Sequence, residues 1–278
     1  MVEFSVIVPT CDRPDLLRRC LDAVRLATSE VQLGMVEVIV SDDSGNDASK
    51  QVTETFGNCH WTRGPRRGPA ANRNHGARLA RGAWLVFTDD DCVPSVEWLS
   101  AFSRARQSNP SARVLEGRTH ADRPKRSLSE TAPINETGGC LWSCNFAIER
   151  GLFQQLGGFN ERFKHAAMED SELALRLHKA GHQPVFVREA AVCHPWRPIT
   201  RGSRRKHDEA TLTYLELHPE ERARINSRYY FEVFARRLVK ETAAGLVKYR
   251  GRGLAEDLRE RAHELGMGFR LLFKQFPS

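Results

Sequence analysis

The 278-residue chain has no apolar run of about 18 residues or more, so no helix is expected to cross a membrane. Its opening, Met1-Val2-Glu3-Phe4-Ser5, enters a strand pattern without the basic and then apolar order of a secretory leader. A cytoplasmic setting is the expectation, either free or at the inner face of a membrane. Seven cysteines are scattered without Cys-x-x-Cys spacing. The closest pair, Cys140 and Cys144, has no convincing metal partners nearby, so the set reads as reduced thiols rather than a disulfide framework. No recognised nucleic-acid-binding motif accompanies the basic residues, which removes nucleic acid as an expected partner.

What is present is unevenly distributed. Residues 1–200 carry 25 Lys and Arg against 24 Asp and Glu, whereas residues 201–278 carry 17 against 11. The basic excess belongs to the tail and suits an anionic neighbour there. Earlier in the chain, apolar strand patterns over 4–10, 36–40, 60–63 and 83–88 alternate with helical spacing over 14–27, 70–81 and 96–107. That order predicts a mainly parallel sheet covered on both faces, with ligands at the carboxyl ends of its strands.

The strand over 83–88 runs into Asp89-Asp90-Asp91. Three adjacent anions repel one another, and local folding gives no reason to place them there. A hard divalent cation such as Mg²⁺ or Mn²⁺ does, and Asp89 and Asp91 would point to one side of an extended segment as an Asp-x-Asp clamp. Taken alone the triad could be a solvated acidic turn. Two other strand ends carry polar groups as well, Thr10–Arg13 and Asp42-Asp43, and three in one sheet are harder to read that way. Arg73 and Asn74 open the helix over 70–81, beyond an arginine-rich loop, a placement suited to phosphate although a plain surface loop is the simpler reading of the arginines alone.

These residues resemble glycosyltransferase family 2. The matching segments are Val6-Ile7-Val8-Pro9-Thr10-x-x-Arg13, Ser41-Asp42-Asp43-Ser44, Asn72-Arg73-Asn74-x-Gly76 and Phe87-Thr88-Asp89-Asp90-Asp91. The likeness continues through Asn145-Phe146-Ala147-Ile148, Gly157-Gly158-Phe159-Asn160-Glu161 and Glu169-Asp170-Ser171-Glu172-Leu173, and ends with Gly181 and the strand leading to His194. One departure is Asn72, where the family often has Ala. Residues 196–278 carry no family signature.

The resemblance implies an α/β GT-A fold, a mixed and mainly parallel sheet between helices, over residues 1–200, with a basic helical appendage over 201–278. It implies a metal-dependent, inverting transfer of sugar from a nucleotide-diphosphate sugar to a hydroxyl of a saccharide, lipid-linked or other acceptor. Pro9, Thr10, Arg13, Asp42 and Asp43 would border the base and ribose. Arg73, Asp89 and Asp90 would meet the diphosphate, and Asp89, Asp91 and His194 would hold Mn²⁺ or Mg²⁺. Asp170 resembles the family's general base and Glu169 an orienting carboxylate, roles that could be reversed. Read without the family, Glu169 and Asp170 are ordinary acidic residues in the first turn of a helix closed by Gly181, and His194 is a structural histidine ending an edge strand.

Two other classes stay open: a nucleotidyltransferase, and a non-catalytic sugar-nucleotide binder on the same fold. The first usually needs a Gly-rich basic loop after its first strand, and Pro9-Thr10-Cys11-Asp12-Arg13-Pro14 is not one. Intact Asp89, Asp91 and Asp170 count against the second. Residues 121–139 show little periodicity and read as a mobile loop on the acceptor side. Trp142 and Trp196 read as core or rim aromatics, with stacking against a sugar as the alternative. In the tail, Leu254, Leu258, Ala262, Leu265, Phe269, Leu272 and Phe276 recur at 3–4 spacing. The expectation is that this stripe packs on the protein itself, with a membrane surface or a second copy as alternatives.

Overall fold

The computed structural model describes residues 2–31, 35–274 and 276. The chain forms two compact units, one from Met1–Asp122 and Pro133–Pro195, the other from Arg123–Ala132 and Trp196–Ser278. In the first unit the order is β1 (Phe4–Thr10), α1 (Pro14–Ser29), β2 (Val36–Asp42), α2 (Ala48–Thr53), β3 (Cys59–Arg63), α3 (Pro69–Leu79) and β4 (Trp84–Phe87). Then come β5 (Val93–Pro94), α4 (Trp98–Ser108) and β6 (Val114–Ala121). The second unit's β7 (Glu130–Thr131) intervenes before β8 (Phe146–Glu149), α5 (Arg150–Gln155), α6 (Glu169–Lys179) and β9 (Val185–His194).

The sheet order is β3-β2-β1-β4-β8-β6-β9-β5. The first four strands are parallel, β8 runs antiparallel to both β4 and β6, and β9 returns parallel to β6. The mixed sheet therefore carries the expected parallel half, and the antiparallel insertion of β8 is what the alternating pattern did not announce. β9 is not the edge strand expected from its sequence. It lies inside the sheet, paired with β6 on one side and with the two-residue β5 on the other.

Alternation along the strands fills both faces. Phe4, Val6, Val8, Val38, Val40 and Val86 join α1 and α4 in one core, while Ile7, Ile39, Leu85 and Phe87 join α3, α5 and α6 in the other. Burial on both sides explains why these strands read as continuous apolar runs. Pro9 in the central β1 has a local reason. The Ile7 carbonyl faces β4 by accepting the Thr88 N–H, so position 9 faces the same way, where β4 has already ended.

Asn145, just before β8, ties β6 to β9. Its amide donates to the carbonyls of Arg118 and Ala190 at 2.8 and 2.9 Å, and its oxygen accepts the Trp98 indole N–H at 2.8 Å. A side chain at Gly117 would meet Asn145 and the Ala190 carbonyl, so β6 can carry its register shift there only with glycine.

The second unit pairs β7 with β10 (Arg197–Pro198), followed by α7 (Arg201–Leu217), α8 (Ser227–Arg237), a π-helical turn over Leu238–Thr242, α9 (Ala243–Lys248) and α10 (Leu254–Phe273). Thr200 and Ser203 form a reciprocal cap on α7, and Asn226 caps α8. Of the segment 121–139 expected to be a mobile loop, residues 123–132 are tied by hydrogen bonds within this unit. Glu130 accepts from Arg123 and from the Arg126 N–H, the Leu128 N–H donates to the Arg252 carbonyl, and Trp196 donates to the Arg123 carbonyl. No described helix is long and apolar enough to cross a membrane.

Phe87 is the hinge between core and strand end. Its ring lies 4.9 Å from Phe146, stacked, and 5.2 and 5.3 Å from Phe153 and Phe159. Two residues later, at Asp89, the acidic segment begins. Phe87→Ala should lower unfolding free energy by about 3–5 kcal/mol, measured by urea titration, whereas Phe87→Leu should cost well under half of that.

Candidate active site

The carboxyl ends of β1, β2 and β4 converge. Asn72, the family departure, binds two of them: its amide donates to the Ser41 and Thr10 carbonyls at 2.9 and 3.2 Å, and its oxygen accepts from the Ser41 hydroxyl. An alanine there would leave those groups without these bonds. Gly64 must remain side-chain-free, because a Cβ would strike Asp43 and Asn72. Asp42 is buried and accepts the Ser44 N–H at 2.9 Å and the Trp61 indole N–H at 3.0 Å. Asp43 accepts the Arg66 N–H at 2.8 Å, and burial raises its pKa.

The members of the aspartate triad divide among several partners, with Arg13 shared by two of them. Asp89 accepts from Arg73 at 2.6 Å. Asp90 is fully buried and accepts from the Thr10 hydroxyl at 2.7 Å and from Arg13 at 2.5 and 3.1 Å. Burial pushes its pKa up to about 7 against the opposing pull of the Arg13 guanidinium. Asp91 lies 3.7 Å from His194 Nε2 and 3.6 Å from Arg13. Thr10 and Arg13, expected against the nucleotide, are therefore engaged in orienting the triad.

His194 ends β9 beside β5, so the sheet itself delivers it to the triad. Its Nδ1 lies 2.8 Å from the Pro195 carbonyl. A carbonyl can only accept, so Nδ1 carries a proton there, and Nε2 is the ring atom directed at Asp91. Asp91, Cys92 and His194 bring one oxygen, one sulfur and one nitrogen within 4.8 Å of each other. A carboxylate and a correctly oriented imidazole fit a divalent cation such as Mn²⁺. Asp89, expected in the clamp, lies outside this cluster and meets Arg73. Cys92 enters it unforeseen, its adjacency to the triad being the one available signal.

Arg73 was expected to face a phosphate. It is buried instead, with its guanidinium between Asp89 and Glu169, the latter at 2.9 Å. Glu169 opens α6, and its pKa is pushed to about 7 by burial and by the neighbouring Asp170 against the pull of Arg73. Asp170 accepts the backbone N–H groups of Ser171 and Ser143 at 2.8 and 3.4 Å, and burial raises its pKa too. Met168, just before them, has φ +66°, a left-handed conformation rare for a residue with a side chain. Asp12 and Arg66, in two other strand-end loops, share that feature with φ of +53° and +55°.

A cavity of about 600 Å³ lies among α3, α5 and α6, lined by Asn74, Phe153, Phe159 and Arg176 among others, and contains none of these acidic residues. Trp142 and Trp196 donate their indole N–H groups to the carbonyls of Ile134 and Arg123.

Removing the buried cation tests this arrangement. Arg73→Met should destabilise the protein by about 3–5 kcal/mol, because Glu169 would have to stay buried as an unpaired charge or take up a proton. In a double-mutant cycle, Glu169→Gln should recover part of that loss, and strictly additive effects would deny the coupling.

The pattern of glycosyl transferase family 2 matches residues 5–157. A validoxylamine A glucosyltransferase from Streptomyces hygroscopicus subsp. jinggangensis is 26% identical over 230 residues, covering 67% of this chain and 54% of its own length. The chain thus spans about half of that relative. A mannosyltransferase from Pyrobaculum calidifontis, solved with GDP-Man and Mn²⁺, superposes with a TM-score of 0.62 at 19% identity, over 98% of this chain and 87% of that one. TarS residues 1–349 from S. aureus, solved with UDP-GlcNAc, gives 0.60 at 19% identity, over 96% and 79%. The fold is GT-A.

Proposed function

The chain belongs to glycosyl transferase family 2, and we propose that it transfers a sugar from a nucleotide-diphosphate sugar to an acceptor hydroxyl, with inversion and with a divalent cation at Asp91 and His194. The observation that carries the reading is the pairing of Asp91 with the oriented Nε2 of His194 at the carboxyl end of β4. The acceptor class is a saccharide, lipid-linked or other glycoconjugate hydroxyl.

The donor's base and ribose lie at the ends of β1 and β2, against Pro9, Thr10, Asp42 and Asp43. Arg13 pairs with Asp90 and Asp91 and, being partly exposed, borders the diphosphate. When bound, Mn²⁺ or Mg²⁺ supplies Lewis-acid stabilisation of the charge on the departing diphosphate. Asp170 takes the proton of the acceptor hydroxyl as that oxygen attacks the anomeric carbon from the face opposite the nucleotide. Glu169 is committed to Arg73 and is a positioning group. Asp170, held by backbone N–H groups, retains lone pairs for the acceptor. Burial raises its pKa, which makes it a stronger proton acceptor than an exposed aspartate.

Two variants separate metal from base. Asp91→Ala should fold normally yet lose Mn²⁺-dependent stabilisation by nucleotide sugar in a thermal-shift assay. A ligand at about 100 times its Kd contributes roughly 2.7 kcal/mol, well within detection. Unchanged donor and Mn²⁺ binding would reject Asp91 as a ligand.

Asp170→Asn should bind donor like the parent and transfer sugar about 10²–10⁴-fold more slowly. An equal loss of donor affinity would move Asp170 into the nucleotide site, and an active Asp170→Asn beside an inactive Glu169→Gln would exchange the two roles.

A further inference from the structure

One buried carboxylate of the first unit takes no part in the cluster described above. Glu116 lies on β6, opposite Phe146, and is therefore on the sheet face that also carries Phe87. Glu3, Glu37 and Glu172, equally buried, each meet an arginine. Glu116 meets backbone instead. Its Oε1 accepts the Gly139 N–H, and the Cys140 N–H faces the same carboxylate. Its Oε2 is buried and makes no hydrogen bond among the described residues, so the contact with the loop runs through Oε1. A buried carboxylate destabilises a fold unless hydrogen bonds offset its lost hydration. Its use therefore lies with the N–H groups that it binds.

The loop is shaped around that oxygen. Gly138 and Gly139 have φ of +88° and +90°, the left-handed region that glycine enters freely. A Cβ at Gly138 would lie 2.7 Å from Glu116 Oε1. The Asn135 side chain accepts the Gly138 N–H at 2.9 Å and donates to the Cys140 carbonyl at 3.1 Å, while its backbone pairs with Thr119 of β6. Strand β6 thus fixes the loop twice, through the Thr119 backbone and through the Glu116 side chain. Beyond Cys140 the chain turns tightly. The Trp142 N–H returns to the Cys140 carbonyl at 2.6 Å and the Asn145 N–H to the Trp142 carbonyl at 3.0 Å. Between them the Ser143 N–H donates to Asp170 at 3.4 Å. That length is close to the limit for a hydrogen bond, so a small displacement of the turn would break it.

We propose that Glu116 is a positioning residue for sugar transfer: by holding the 138–143 turn through backbone N–H groups, it keeps the Ser143 N–H on Asp170 and so aims that carboxylate at the acceptor. The inference rests on the assignment of Asp170 as base. Glu116 itself touches neither donor nor acceptor. Its effect reaches Asp170 only through the turn, which makes the reach of its side chain, and not its charge, the quantity that matters.

Two substitutions separate reach from charge. Glu116→Asp keeps the charge and withdraws the oxygen by one methylene, whereas Glu116→Gln removes the charge and keeps an oxygen in place. The readout is the titration of the Asp170 carboxyl by carbon-13 NMR of the full chain labelled at aspartate, assigned by its absence in Asp170→Asn. Neither substrate nor metal is needed. Arg73 and Glu169, the other charged groups beside Asp170, are the same in every protein compared. Glu116→Asp should raise the Asp170 pKa, because an anion that loses a donor N–H is less stabilised, and Glu116→Gln should leave it where the parent has it. If charge were the link, Glu116→Gln would lower that pKa and Glu116→Asp would not move it. That result overturns the proposal, as does an Asp170 titration unmoved in Glu116→Asp, which would leave Glu116 a purely structural group. Turnover is followed as nucleoside diphosphate released from UDP-glucose or GDP-mannose with Mn²⁺. Glu116→Asp should slow it by about 10–100-fold at the parent's donor KM, the scale of a misplaced catalytic group, with Glu116→Gln close to the parent. An Asp170→Asn protein as active as the parent would reject the base and this role with it. An inactive Asp170→Asn beside a fully active Glu116→Asp would reject the role of Glu116 alone.

Discussion

A buried guanidinium organises the acidic site. Arg73, on α3, reaches Asp89 after β4 and Glu169 at the start of α6, so one cation fastens three elements that are distant in the chain. The site gathers Asp89, Asp90, Asp91, Glu169 and Asp170, and a fold that concentrates so many carboxylates needs permanent positive charge within it. Arginine suits the task because it cannot lose its proton and because its fork spans two acceptors. A lysine would offer one point charge and would lose its proton more readily on burial.

Around that cation the aspartates divide their work. Asp90 is wholly internal, fixed by Thr10 and Arg13, and serves as the anchor of the segment. Its neighbours are thereby held apart: Asp89 turns to Arg73 and Asp91 to His194. Two partners of the triad come from β1 and its following loop, one from α3 and one from the far end of β9. A sheet with β8 inserted antiparallel can bring β9 back parallel and deliver His194 beside β5. The antiparallel insertion is thus the topological reason that a histidine more than a hundred residues away reaches the strand-end cluster.

Much of this was legible in the sequence, and the rest was hidden for definite reasons. β1, β2 and α3 are where their periodicity puts them, because strands buried on both faces and a helix behind Pro69 leave strong local signals. Gly181 closes α6 as expected, with φ +80°. The interior position of β9 was not legible, since pairing partners are non-local and a two-residue β5 gives no pattern. Arg73 announces its charge in the sequence but not its depth. Asn72 looked like a harmless departure until the carbonyls it serves became visible. In α10 the spacing of leucines and phenylalanines predicted a stripe correctly, yet Leu258, Phe269 and Leu272 are exposed while Asp257, Glu260, Arg261 and Glu264 are buried. Periodicity reports that a face exists and is silent about which way it turns. The boundary between units was likewise obscured, because residues 123–132 join the second unit through hydrogen bonds to residues far along the chain.

The π-helical turn over Leu238–Thr242 sets a limit on how the tail can vary in length. A π turn holds an additional residue relative to an α turn, so α9 continues α8 with its faces rotated by roughly one residue's step. Thr242 meets Asp257 only in that phase. Deleting one residue here would give a more regular helix and would swing Thr242 away from Asp257 and Gly245 away from Leu128. The tail is therefore far more tolerant of changes in identity along its outer surface than of a single insertion or deletion at this turn.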